Sequence, residues 1–124
     1  MNEDKCDCKS EEIFVFPCSG GSNVGQIANE AGKDFSRLKC GKMFCLAGIG
    51  GHVSDIIEST KLAKKIIVID GCQVHCAKKT LEHAGLKLDV HVVVTDLDII
   101  KNYDFMMDNS EIDKVIEKIK EELI

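Results

Sequence analysis

Four consecutive β-branched residues, Ile66-Ile67-Val68-Ile69, run directly into Asp70-Gly71. A β-branched run of this kind favours a strand covered on both faces, and Asp-Gly ends it sharply. The adjoining stretch, Cys72-Gln73-Val74-His75-Cys76, reads as the first turn of a helix with Cys72 and Cys76 at i and i+4, one above the other. Helix N-termini present unpaired amides and the positive end of the macrodipole, which favour a thiolate over a thiol. A single cysteine here would be read as a small residue packing a helix onto a sheet. Two thiols beside Asp70 and His75 point to reactive or metal-bound sulfur.

The same strand-to-helix pattern occurs on either side of this stretch. Ile13-Phe14-Val15-Phe16 forms a first strand, leaving through Pro17-Cys18-Ser19-Gly20-Gly21-Ser22-Asn23. Asn23 is placed to cap a helix on Val24, Ile27, Ala28 and Ala31, with Gln26 as its capping-box partner. Lys42-Met43-Phe44-Cys45-Leu46 gives a second strand, Ala47-Gly48-Ile49-Gly50-Gly51-His52 a second glycine-rich exit, and Val53, Ile56, Ile57, Thr60 and Ala63 a helix. Val74, Ala77, Leu81 and Ala84 mark the inner face of the third helix, with Gly85 as its C′ residue. Residues 89–95 form a fourth strand, and residues 97–108 an irregular segment whose Tyr103, Phe105, Met106 and Met107 cover an edge of the site. Ser110 caps a last helix on Ile112, Val115, Ile116, Ile119 and Leu123. Alternating strands and helices predict a single α/β domain over residues 13–124. It should be Rossmann-like or flavodoxin-like, with three layers around a four-stranded parallel sheet.

At 124 residues the chain is long enough for one domain with a full core. The net charge of −5, with lysines interleaved among acids, argues against a nucleic-acid surface. No apolar run approaches the roughly 18 residues of a membrane span. The polar start Met1-Asn2-Glu3-Asp4-Lys5 does not read as a secretory signal, so a cytoplasmic location is expected. In that compartment seven cysteines, an odd number, imply metal or thiol chemistry rather than a disulfide framework. Cys6 and Cys8 fall in a charged segment, residues 1–12, that reads as a mobile tail. Their Cys-x-Cys spacing suits a soft metal, but such a tail is more often simply solvated, and its role is read as minor. Cys40 precedes the second strand, at the opposite edge of the sheet.

Ligands of open parallel sheets bind beyond the carboxyl ends of the strands. Cys18, Cys45, Cys72 and Cys76 come from three strand exits on that edge. The loops holding Gly20, Gly21, Ser22 and Asn23, and Gly48, Gly50 and Gly51, allow backbone amides to approach an anion or thiolate closely. Neither loop is a Walker motif, since both lack the closing Lys-Ser/Thr. Nor is the first a thiol phosphatase loop, because Val24 stands where the arginine of Cys-x5-Arg would be. His52, Asp70, His75 and Asp96 are candidates for a further ligand or for orienting one; for Asp70, capping the Gly71 turn is the simpler role. His83 and His91 read as surface or packing residues away from the edge, and Met106-Met107 as core filling.

Four segments together resemble the DGC family of small, cysteine-rich prokaryotic proteins described as zinc-binding. They are Cys18-Ser19-Gly20-Gly21-Ser22-Asn23-Val24-Gly25-Gln26-Ile27-Ala28, Cys45-Leu46-Ala47-Gly48-Ile49-Gly50, Asp70-Gly71-Cys72 with Cys76-Ala77-Lys78-Lys79, and Val94-Thr95-Asp96-Leu97. The resemblance spans residues 13 to about 100; Gln73 replaces a common Pro and Asp98 a common Gly, and neither change touches a thiol. It implies cysteines converging on zinc. Four thiolates would give zinc a closed tetrahedral shell, whereas three with water, His52 or His75 would leave a position able to activate a thiol or water. Tetrathiolate ligation fits an iron-sulfur cluster equally. The alternatives are metal-free redox or sulfur transfer, with Cys18 as a low-pKa nucleophile resolved by Cys72 or Cys76, and a non-enzymatic anion-binding module. The expected partner is a small molecule or thiol; whether the chain is an enzyme, and its oligomeric state, stay open at this level.

Overall fold

The computed structural model describes residues 12–123, so Cys6 and Cys8 of the proposed tail lie outside the described residues. The strands are β1 (Ile13–Pro17), β2 (Lys42–Met43), β3 (Lys65–Asp70) and β4 (Val90–Val93). The helices are α1 (Asn23–Arg37), α2 (Leu46–Gly50), α3 (Ser54–Lys61), α4 (Cys76–His83) and α5 (Asn109–Leu123), with a 3-10 turn at Val94–Leu97. The four strands make one parallel sheet in the order β2-β1-β3-β4. From β1 the chain moves outward to β2, then crosses back to place β3 on the other side of β1. The crevice between the exits of β1 and β3 is therefore the switch point where doubly wound sheets bind ligands.

Side chains alternate across this sheet as the pleat requires. Ile13 and Val15 of β1, Ile67 and Ile69 of β3, and Val90 and Val92 of β4 meet α1 and α5 in one core. Phe14, Phe16, Ile66 and Val68 point the other way, against Ile49 of α2 and Ala77 and Leu81 of α4. The result is the expected three-layer α/β arrangement. Phe16 and Phe35, both wholly enclosed, anchor the two cores, and burial of such a side chain contributes about 1.5–3 kcal/mol.

Several boundaries differ from those expected, each for a local reason. The second strand stops at Met43, although Phe44 still donates to the Val15 carbonyl at 3.0 Å; from Leu46 the supposed glycine loop is itself helical. Gly48 is needed there because a Cβ would stand 2.3 Å from Ile56 Cδ1, so the residue lets α2 and α3 touch. His52 has φ 56° because it is the left-handed C′ residue of α2: its amide bonds Ile49 O and the next amide, Val53, bonds Gly48 O. Gly85, at φ 79°, closes α4 in the same way, as expected. The final helix is capped by Asp108, not Ser110. Asp108 Oδ1 accepts from the Glu111 amide at 3.1 Å and Glu111 Oε1 accepts from the Asp108 amide at 3.1 Å, a reciprocal capping box. At α1 the cap is Ser22, whose Oγ accepts from the Gly25 amide at 3.1 Å, and Asn23 is freed for another task.

Candidate functional site

A cavity of about 350 Å³ opens over the crevice between β1 and β3, and three thiols reach it: Cys18, Cys72 and Cys76. Each arrives by a different route. Cys18 directly follows β1, and its amide donates to Ile69 O at 2.9 Å, as if the strand continued by one residue. Cys72 lies in the turn after β3 and Cys76 is the first residue of α4, so the two do not share a helical turn as their spacing suggested. The helix begins late because His75 takes a left-handed conformation, φ 60° and ψ 43°, which re-aims the chain.

The glycines at this crevice are fixed by close backbone approach. A Cβ on Gly71 would fall 2.8 Å from Gly25 N and Val24 C, and one on Gly25 would fall 2.6 Å from Gly20 N and O. The start of α1 thus rests directly on both strand exits. Gln26 Nε2 ties the loop further by donating to Gly20 O at 3.0 Å. Gly20, Gly21 and Ser22 line the cavity, and the backbone amides of Gly20 and Gly71 hydrogen-bond the Cys18 sulfur. Burial is the larger influence and pushes the Cys18 thiol above its ordinary value; the two amides oppose it, while Asp70 and Cys76 add to it. Burial thus works against the lowered pKa that the thiol-exchange alternative asks of Cys18.

Asp70 is 1% exposed and does not serve the Gly71 turn. Its Oδ1 accepts from Ala77 N at 2.7 Å and its Oδ2 from Lys78 N at 3.1 Å, so it caps α4 from seven residues away in place of His75, which makes no side-chain cap. Oδ2 also accepts from His91 Nε2 at 2.8 Å. His91 therefore belongs to the support of the site, where the sequence had suggested a packing residue away from this edge. Its ring meets that of His75 edge-on at 4.9 Å between centroids. His75 lines the cavity and pairs with Gln73 Oε1 at 3.1 Å; Gln73 in turn donates to Asp96 Oδ1 at 2.6 Å. Asp96 thus steadies the turn from outside the cavity wall.

Lys101 has no counterpart among the expected site residues. Its Nζ lies 3.5 Å from Cys72 Sγ and 5.6 Å from the centroid of Tyr103, which also lines the cavity. Hydrogen bonding to Cys72, and then to Tyr103, raises the Lys101 ammonium above its ordinary value, so it stays charged. Asn23 fixes this lysine from below. Its Nδ2 donates to Ile100 O at 2.9 Å, its Oδ1 accepts from Asn102 N at 2.6 Å and its own amide donates to Asn102 O at 3.0 Å. The only signal in the sequence was a single cation among apolar neighbours, Ile99-Ile100-Lys101-Asn102-Tyr103.

Other expected members stand elsewhere. Cys45 is exposed at the N-cap of α2 and is not on the cavity wall, although Leu46 is; β2 ends too early to carry it to the level of the other exits. His52 meets the ring of His83 at 5.3 Å instead of the thiols. Gly48 and Gly50 pack α2 against α3 and α4, Gly51 is the C-cap of α2, and none of the three lines the cavity. Asn23 shapes the cavity from behind without lining it. The donors on the wall are soft thiols, the chemistry zinc favours. Among the described residues, however, no three His, Cys, Asp or Glu side chains stand together as a ready metal-ligating group.

A flavodoxin-like parallel domain with three thiols at its switch point is the class of protein that this fold and site define. The chain belongs to the DGC family: the model of the DGC domain matches residues 14–119. It is 32% identical over 90 residues to the anaerobic and virulence modulator AnvM of Pseudomonas aeruginosa, a match covering 73% of this chain and 69% of that protein. No solved structure matches the chain. Among the described residues, no helix is long and apolar enough to cross a membrane.

Proposed function

We propose that the protein carries out thiol-disulfide or sulfur exchange with a small molecule at the β1/β3 crevice, with Cys72 as the attacking sulfur. The observation that carries this reading is the Lys101 ammonium 3.5 Å from Cys72 Sγ, at the mouth of a cavity that two further thiols share. A cation beside sulfur favours thiolate, the nucleophilic form. Attack on a disulfide would join Cys72 to one half and release the other as a thiolate. A second cavity thiol, Cys76 or Cys18, would then attack the Cys72 sulfur, closing a protein disulfide and releasing the second half. Two electrons pass from protein to substrate.

The test is to treat reduced, chelator-free protein with a small disulfide at neutral pH and map the products by mass spectrometry. The expected first adduct is on Cys72, followed by a link to Cys76 or Cys18. Random or purely intermolecular bridges would overturn the reading. A second reading, supported by three soft donors on one wall, is that Cys18, Cys72 and Cys76 hold zinc or a related metal. About one equivalent of metal in the isolated protein, with these thiols protected from alkylation until chelator is added, would decide for it.

A further inference from the structure

The charges on the cavity wall bear on what kind of molecule enters it. Asp70 is the one Asp or Glu among the described lining residues, and its carboxylate is consumed by two α4 amides and His91. Lys101 is the one Lys or Arg among them, and its ammonium is wholly open to solvent. The cavity therefore presents a positive handle inside a chain whose net charge is −5. Around it stand apolar surfaces from Leu46, Val74 and Tyr103. Asn23, 3% exposed, spends three hydrogen bonds on Ile100 and Asn102, the two neighbours that bracket Lys101. A buried clamp thus fixes the backbone from which the exposed Lys101 side chain projects.

We infer that the ligand of this cavity is a small anionic organosulfur compound, a disulfide bearing a carboxylate and a compact apolar group, with the carboxylate held by Lys101. This inference rests on the thiol-exchange reading and names its substrate class. With a disulfide of this class, Cys72 forms a new S–S bond as the substrate S–S bond breaks, and the departing acid leaves as a thiolate. The resolving thiolate, Cys76 or Cys18, then attacks the Cys72 sulfur, and the second acid leaves as a thiolate in its turn. Attraction to one open charge in water is weak, roughly fivefold in rate, and salt screens it.

The experiment compares two aromatic disulfides of similar size on the full chain: the dianionic bis-nitrobenzoate disulfide and the neutral dipyridyl disulfide. The rate of adduct formation at Cys72 is followed by peptide mapping. Any change in the intrinsic reactivity of Cys72 in Lys101→Gln acts on both reagents alike, so the readout is the ratio of their rates. Lys101→Gln is expected to lower the preference for the dianion about fivefold, Lys101→Arg to retain it, and added salt to weaken it in wild type and Lys101→Arg but not in Lys101→Gln. An unchanged ratio in Lys101→Gln, with exchange at Cys72 intact, overturns the anionic class while leaving thiol exchange standing. Absence of exchange at Cys72 with either reagent overturns both. Because Lys101 is exposed, the variants test charge recognition without disturbing the core.

Discussion

Asp70 and His91 meet at 2.8 Å beneath the first turn of α4, on adjacent strands whose neighbouring register pairs are Val68 with His91 and Asp70 with Val93. This pair sets the start of α4 and so the position of Cys76. Asp70→Ala removes the acceptor for two amides and for His91. The expected cost is about 2–3 kcal/mol, as for loss of a charged cap in a buried setting. Asp70→Asn, which keeps one acceptor, should cost less. Denaturant unfolding of the two variants checks the order, and an Ala variant as stable as wild type would remove the capping role.

Asn23 joins the start of α1 to residues 100–102. Asn23→Ala leaves the Ile100 carbonyl and the Asn102 amide without this partner and should destabilise the fold by about 1–3 kcal/mol. It should also slow Cys72 alkylation at neutral pH, because Lys101 is no longer held over the sulfur. Stability loss with an unaltered Cys72 rate would show that the clamp does not govern the lysine.

The crevice floor is tested by glycine. Gly25→Ala and Gly71→Ala each drive a methyl into backbone at under 3.0 Å and are expected to cost about 1–3 kcal/mol, the usual range for overpacking. Gly21→Ala is the control, since nothing lies within 4 Å of its added Cβ. Melting temperatures that fail to separate the first two from the third would contradict the close contact of α1 with both strand exits.

The α5 cap carries a pH signature. Asp108 is held below its ordinary value of 3.8, first by the Ser110 hydroxyl and then by the Glu111 amide. Its folded value lies below its unfolded one, so its stabilising contribution is present above pH 3.8 and disappears as pH falls through the lower folded value. The protection of the Ser110 and Glu111 amides, measured relative to their unstructured exchange rates, should therefore fall on acidification below about pH 4. In Asp108→Asn that acid dependence should flatten.

How much of this was readable beforehand depends on the range of the interactions. Strands and their parallel arrangement were legible because β-branched runs and helical periodicity are local, and the meeting of Cys18, Cys72 and Cys76 at one cavity was legible because strand exits share an edge. Cys45 was misplaced because the length of β2 depends on pairing with Val15, not on its own residues. Asp70 serving α4, His91 serving Asp70 and Asn23 serving Lys101 are contacts over 7 to 79 positions. No periodicity encodes such partners. The non-glycine turn at His75 was hidden for a similar reason, since its geometry is imposed by where Asp70 receives α4.

The segment from Ile99 to Asp108 behaves mechanically as a strap fastened at both ends. Ile99 is 4% exposed and Asn23 grips Ile100 and Asn102, while Asp108 is locked into the α5 cap; between them Tyr103, Phe105 and Met106 bow outward. Lys101 belongs to the fastened end and Tyr103 to the bow. Bow and charge are thereby uncoupled: substitutions at Phe105 or Met106, neither of which lines the cavity, leave the fastening around Lys101 in place.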